Sequence, residues 1–287
     1  MSGLTLVQLT DTHLLPEPEL LFGKLNTWQR TISAVSAAAH FSPDALLVTG
    51  DIADSKSSIY QQASRLFDSA SQQLGCPIIV LPGNHDQPDT VPPLFNRDRT
   101  ATGPTPGDTV HQLKGLRVIA MDSDNPGHPD GALSEEQLDW LCGQLAFQSD
   151  GGTILALHHP PIESVLPQLA GRGLANPDRL AAVIEGTDVR AVLCGHYHHA
   201  ASGWLGTVPV WVSPAVAYNQ NLFAPAPTIQ AVDSTWLSVI ELGPTGFSAT
   251  PVPVTATGTP VFTSTITPTT RAFNLHTVQG DNHAAQR

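Results

Sequence analysis

Five short polar fragments constrain this chain more than any other feature. They are Asp11-Thr12-His13, Gly50-Asp51-Ile52-Ala53-Asp54, Gly83-Asn84-His85-Asp86, His158-His159-Pro160 and Gly195-His196-Tyr197-His198. Each follows an apolar run that reads as a strand: Leu4–Leu9, Ala45–Thr49, Pro77–Leu81, Thr153–Leu157 and Ala191–Cys194. The architecture must therefore bring many strand ends to one edge. Sheets of parallel strands do this, because their sites form outside the carboxyl ends of the strands.

The segments between these strands read mostly as helices, so the fold class is α/β. Thr27–His40 carries Trp28, Ile32, Val35 and Ala39 near helical spacing, and Ser58–Leu74 reads as a second helix. Residues 88–108, rich in Pro, Thr and Gly, read as a long loop. Lys114-Gly115 reads as the turn of a hairpin between Thr109–Leu113 and Leu116–Met121. Ser134-Glu135-Glu136-Gln137 matches a capping box, so a helix should run on to about Ala146. Asn176-Pro177 reads as a cap followed by proline at the first helical position. Val208–Val212 and Trp236–Glu241 read as later strands, with β-hairpin additions beyond Gly243. We expect a core over residues 1–225, C-terminal β additions packed on it over 226–267, and a flexible tail over 268–287.

Composition narrows the class. Hydrophobic residues make up 41% of the 287 and charged residues 13%, the balance of a globular protein. No run of eighteen apolar residues occurs, so no membrane span is expected. The start, Met1-Ser2-Gly3-Leu4, lacks the pattern of a secretory signal. Cys76, Cys142 and Cys194 are few and irregularly spaced, which fits a reducing compartment, and the cytoplasm is expected. A net charge of −12 excludes the broad basic face that a nucleic-acid polymer needs. A small anion is a different case. Two divalent cations held by two carboxylates, with one hydroxide between them, leave about one net positive charge in the pocket.

Among the side chains of the fragments, two carboxylates, one carboxamide and four imidazoles make a ligand set for two ions that share one carboxylate. In an extended segment residues i and i+2 point the same way. Asp11 and His13 should therefore reach one ion, with Thr12 turned elsewhere. His196 and His198 should do the same with Tyr197 opposite. Asp51 has two oxygens and could bridge ions about 3.5–4 Å apart. Asn84 adds an oxygen ligand without cancelling charge, and Pro160 fixes the turn after His158. His85, next to Asn84, should point away from the ions and donate to a leaving oxygen or to phosphoryl oxygens. Asp86 is expected to orient it, and Asp54 to accept an N–H from a ligand imidazole. His159 is expected beside the ligands or facing substrate rather than on a metal.

In this order the fragments resemble the calcineurin-like metallophosphoesterase superfamily, whose pattern D-x-H, G-D-x-x-D, G-N-H-[DE], H-x-P and G-H-x-H is matched from Asp11 to His198. The resemblance implies a four-layer α-β-β-α sandwich. It implies one metal at Asp11, His13, Asp51 and His198, a second at Asp51, Asn84, His158 and His196, and His85 as the catalytic histidine. The stretches Ala156–Ile162 and Gly186–His196 are similar to the actinobacterial class III cyclic-nucleotide phosphodiesterases. That similarity implies hydrolysis of 3′,5′-cyclic AMP to 5′-AMP by a hydroxide bridging two ions, iron with manganese or zinc, and a homodimer. Asn84, His85, His159 and His198 are then the expected substrate contacts, with His85 and Asp86 catalytic. Asp54 is followed by Ser55-Lys56, so the arginine of the protein-phosphatase pattern G-D-x-x-D-R-G is missing. The rivals are a broader phosphodiesterase or nucleotidase on the same fold, and a non-catalytic metal-binding scaffold.

Overall fold

The computed structural model describes residues 3–254 apart from 55, 56, 88–90, 97 and 245. The chain divides into two units, Met1–Ala256 and Thr257–Arg287. The expected tail, 268–287, and the end of the 226–267 segment lie outside the described residues.

Among the described residues, two sheets carry the fold. In the first, β1 (Leu4–Leu9), β2 (Ala45–Thr49) and β3 (Ile78–Leu81) run parallel. In the second, β4 (Ala101–Thr102) and β5 (Thr109–Leu113) lead to the parallel β6 (Leu116–Met121), β7 (Thr153–Leu157) and β8 (Val189–Cys194). The antiparallel pair β9 (Ala201–Leu205) and β10 (Val208–Val212) completes it, with β10 parallel to β8. A small ribbon joins β11 (Asn219–Gln220) to β12 (Ala231–Val232). Finally β13 (Trp236–Leu242) pairs with β1, and β14 (Phe247–Pro253) pairs with β13.

Strand alternation sorts the side chains into layers. Leu6, Leu47, Ile79 and Leu81 meet Val118, Ala120, Ile154, Ala156 and Leu193 between the sheets. Val7, Leu46, Val48 and Val80 face helices α1 (Thr27–Ala38) and α2 (Ser57–Leu74). Short α3 (Val91–Phe95) joins that outer layer through Val91. Ile119, Leu155, Leu157 and Val192 face α4 (Glu135–Leu145) and α5 (Pro177–Ile184). The result is the expected α-β-β-α order. No helix among the described residues is long and apolar enough to cross a membrane.

Several local expectations need correction. The inner stripe of α1 is Thr31, Ala34, Val35 and Ala38, while Ile32 is 46% exposed. Trp28 is engaged sideways, its Nε1–H donating to the Leu15 carbonyl at 2.7 Å, and small residues face the sheet. The 88–108 segment is not all loop, since it contains α3 and β4. The capping box is present, but Asn176 makes no side-chain cap bond. Its amide instead pairs with the backbone of Leu133 in both directions.

One histidine far from the polar fragments sets a pH limit on the fold. Burial pushes His111 on β5 down to about 4. Below its unfolded value of about 6.5 the unfolded chain takes up a proton that the native one refuses, so stability falls as pH drops from about 6.5 to 4. The loss is about 3 kcal/mol at most, from a shift of some 2.5 units. In urea titrations His111→Gln should flatten that slope; an unchanged slope would assign the acid sensitivity to other groups.

Candidate dinuclear metal centre

The loops after β1 and β2 run side by side. Asp11 N–H donates to Gly50 O at 3.0 Å, His13 N–H to Asp51 O at 3.0 Å, and Leu14 N–H to Ile52 O at 2.8 Å. These bonds bend the chain out of the extended form. Asp11 (φ 53°), His13 (43°), Asp51 (51°), His196 (73°) and His198 (51°) all have left-handed backbone. They are five of the eight non-glycine residues with positive φ among those described. Such strain costs on the order of 1 kcal/mol or more per residue and collects at functional sites. The expectation that i and i+2 converge through extended backbone is therefore wrong in mechanism, although the side chains do converge. Tyr197 turns away, its hydroxyl donating to Ile162 O at 2.8 Å.

Six of the seven expected ligands gather at this edge, where donor atoms form clusters within 4.8 Å, and Asn84 adjoins them through its neighbour His85, whose N–H is bound to Asp51. One cluster is Asp11, His13 and His198, with Asp11 Oδ1 3.2 Å from His198 Nε2. Another is Asp51, His158 and His196. Asp51 Oδ2 lies 3.3 Å from His158 Nε2 and 3.7 Å from His13 Nε2, so this carboxylate sits between the two groups. Its other oxygen accepts His85 N–H at 2.9 Å. Gly83 passes so close that a Cβ there would lie 2.3 Å from Asp51 Oδ1, leaving no room for a side chain.

Hydrogen bonding shows that these residues fit metal ions. His158 Nδ1 is 2.8 Å from Thr49 O and His198 Nδ1 is 2.9 Å from Tyr218 O. A carbonyl only accepts, so both Nδ1 atoms carry protons and both Nε2 atoms of the neutral rings present lone pairs. His13 is held the same way, Nδ1 3.0 Å from Asp54 Oδ1. Its Nε2 then faces His198 Nε2 at 3.2 Å, lone pair to lone pair. Asp11 Oδ1 and Asn84 Oδ1 are buried with no hydrogen-bond partner. Cations would satisfy all of these atoms at once. Burial opposes ionisation of Asp51, but His158 outweighs it and holds the carboxyl well below its usual range. Burial likewise opposes charge on His158, yet Asp51 raises it to about 10. By themselves the two form an ion pair with a proton on His158 Nε2, and a cation bound beside Asp51 would displace that proton and leave the lone pair as a ligand.

His85 stands at the rim with its side chain 49% exposed, its Nδ1 2.9 Å from Asp54 Oδ1. That bond raises its pKa to about 9 against the opposing effect of burial. Asp86, expected to orient His85, does something else. It accepts backbone N–H groups of Ile52, Ala53 and Gly83 and the Tyr60 hydroxyl, tying two ligand loops together. Asp54 instead serves both His13 and His85. His159, expected to face substrate, is fully buried and held by Ser123 Oγ at 2.9 Å. Of the four expected substrate contacts, His198 is buried, Asn84 is partly buried and His85 is the exposed one. Tyr218 was not anticipated. Besides orienting His198 it stacks on it, with centroids 4.0 Å apart, and the lone tyrosine of Ala-Val-Ala-Tyr carries no motif signal.

The model of the calcineurin-like phosphoesterase family matches residues 4–200. This chain belongs to that family. The phosphoesterase is 37% identical to a probable cyclic nucleotide phosphodiesterase of Rhodococcus erythropolis, over 76% of this chain and 72% of the relative. It is 35% identical to a cAMP/cGMP dual specificity phosphodiesterase of Mycobacterium tuberculosis, over 76% and 69%. Its fold is that of a dimetal phosphatase from Danio rerio, with TM-score 0.56 and 12% identity over 88% of this phosphoesterase and 96% of the other chain. The matched residues hold every fragment of the candidate centre.

Proposed function

We propose that this phosphoesterase hydrolyses 3′,5′-cyclic nucleotides, converting cyclic AMP to 5′-AMP. Asp11, His13, Asp51 and His198 would hold one metal ion, and Asp51, Asn84, His158 and His196 the second. The observation that carries the reading is the Asp51 carboxylate between two groups of donors, 3.7 Å from His13 on one side and 3.3 Å from His158 on the other, with a cationic imidazole at their rim. The names of the relatives support the substrate class. Ions bound here would neutralise charge on the phosphoryl oxygens and acidify the attacking water.

The protein's own part centres on His85. Asp54 holds Nδ1, so the Nε2–H is left for substrate. As water adds to phosphorus and the P–O3′ bond breaks, Nε2–H donates to the departing 3′ oxygen. Asp54 is shared with His13, which ties the position of this acid to the geometry of the centre. A purely structural scaffold has no use for an exposed imidazole kept protonated.

Iron with manganese or zinc is our proposal for the ions, since the donors are nitrogen and oxygen without thiolate. A homodimer, a cytoplasmic location and the division into a 1–225 core with 226–267 additions are further parts of the proposal. The test is protein purified without added metal, its elements measured, and its turnover compared on cyclic AMP, a chromogenic diester and a monoester. Cyclic AMP should be preferred. His85→Ala should lower turnover roughly 100-fold with both ions retained. A metal-loaded wild type inert toward cyclic AMP would end the reading.

A further inference from the structure

We propose that Phe22 is the stacking surface for the nucleobase, a role that rests on the cyclic-nucleotide reading above. Residues 21–25 form a tight turn closed by Lys24 N–H on Leu21 O at 3.1 Å and Leu25 N–H on the same oxygen at 3.0 Å. Its central residues, Phe22 (φ 55°) and Gly23 (φ 68°), are both left-handed, the pattern of a type I′ turn. Such turns take Asn, Asp or Gly at the first central position. Phenylalanine has neither the local polar bond nor the freedom that makes the position comfortable. Among the described residues it is the one apolar side chain at positive φ: the others are the five site residues, Ser42 at a helix end and Lys114 in a hairpin turn.

Burial does not explain Phe22 either, since it is 60% exposed. The turn beneath it is fixed. Leu21 and Leu25 are buried against Ala217, with Tyr218 packed on the same cluster. The Phe22 and Tyr218 rings pack edge to face with centroids 5.1 Å apart, and Tyr218 stacks on His198. His198, Tyr218 and Phe22 thus form a row that leads from the candidate centre to solvent. A nucleotide anchored by phosphate at one end of the row has its planar base to place, and an exposed aromatic ring on a rigid turn offers the complementary surface. A residue that breaks a local rule without burying itself is where a functional cause is expected. Stacking tolerates any base, because every base has a π-face.

Calorimetry with metal-loaded protein tests this by comparing 5′-AMP with ribose 5-phosphate. Wild type should bind 5′-AMP about tenfold more tightly, the size of one base stack. Phe22→Asn, which suits the turn and should fold at least as well, should erase the difference, and Phe22→Trp should keep it. KM for cyclic AMP should rise about tenfold in Phe22→Asn, with kcat within about twofold. A preference for 5′-AMP that survives in Phe22→Asn would overturn the proposal even if cyclic AMP is hydrolysed. A Phe22-dependent preference in a protein that fails to hydrolyse cyclic AMP would instead uphold the stacking surface and remove the catalytic reading.

Discussion

Asp51→Asn is expected to empty the candidate centre and lower turnover at least 1,000-fold, on the order of 4 kcal/mol of lost transition-state stabilisation. The substitution is nearly isosteric, so the fold should survive it. The direction of the new amide is dictated by its surroundings. Asp51 Oδ1 accepts the His85 N–H, and an NH2 group in that place would set donor against donor. The amide oxygen must take that side, which turns the NH2 toward His13 and His158. A hydrogen-bond donor then occupies the ground that both donor clusters would share, and the bridging charge is gone. His158, raised to about 10 chiefly because Asp51 outweighs its burial, should fall toward or below its ordinary value. Metal analysis should show loss of both ions, and turnover of a phosphodiester should follow. Two retained ions with turnover within about tenfold of wild type would mean that Asp51 is not the shared ligand.

The sequence carried the donor set well because each donor sits just after an apolar strand, and such strands can only end at a sheet edge. The apolar strands between helices carried the α/β class, while the four layers came from the family resemblance; Leu6 and Val7, or Leu155 and Ala156, fall on opposite faces as period two requires, but strands apolar on both faces do not announce which face meets the second sheet. What the sequence could not carry is the backbone path between donors. Asp11 and His13 converge through left-handed residues stitched to the neighbouring loop, a tertiary effect absent from local propensity. Partnerships across the sheets were hidden for the same reason. The carbonyls of Thr49 and Tyr218 orient His158 and His198, and a backbone carbonyl has no residue signature to read. Strand β9 escaped because Ala201–Leu205 alternates exposed and partly buried residues without an apolar run. Its one signal was the two-residue Gly206-Thr207 turn to β10.

The pairing of Asp86 with His85 was an inference from adjacency in sequence, and the structure supports the opposite expectation. Asp86→Ala should destabilise the protein strongly while leaving the acid function of His85 in place. The carboxylate is buried and accepts three backbone N–H groups and a tyrosine hydroxyl. Alanine leaves those donors facing one another in a dry site, each at about 1–3 kcal/mol, with partial relaxation. One effect works the other way. Burial, and next the charge of Asp51, push the Asp86 carboxyl up to about 6, so its removal relieves some repulsion. Four orphaned donors outweigh one relieved charge pair, and a net loss of roughly 4 kcal/mol follows, about 10 °C in Tm for a unit of this size. His85 answers to Asp54. It is protonated below about 9 and loses its proton as pH rises through that value, so turnover should fall on the alkaline side. That alkaline limb should stay in place in Asp86→Ala and move toward about 6.5 in Asp54→Asn. Thermal melts and a pH–rate profile on the two variants separate brace from orienting group. An Asp86→Ala protein with native Tm and a displaced alkaline limb would restore the adjacency reading.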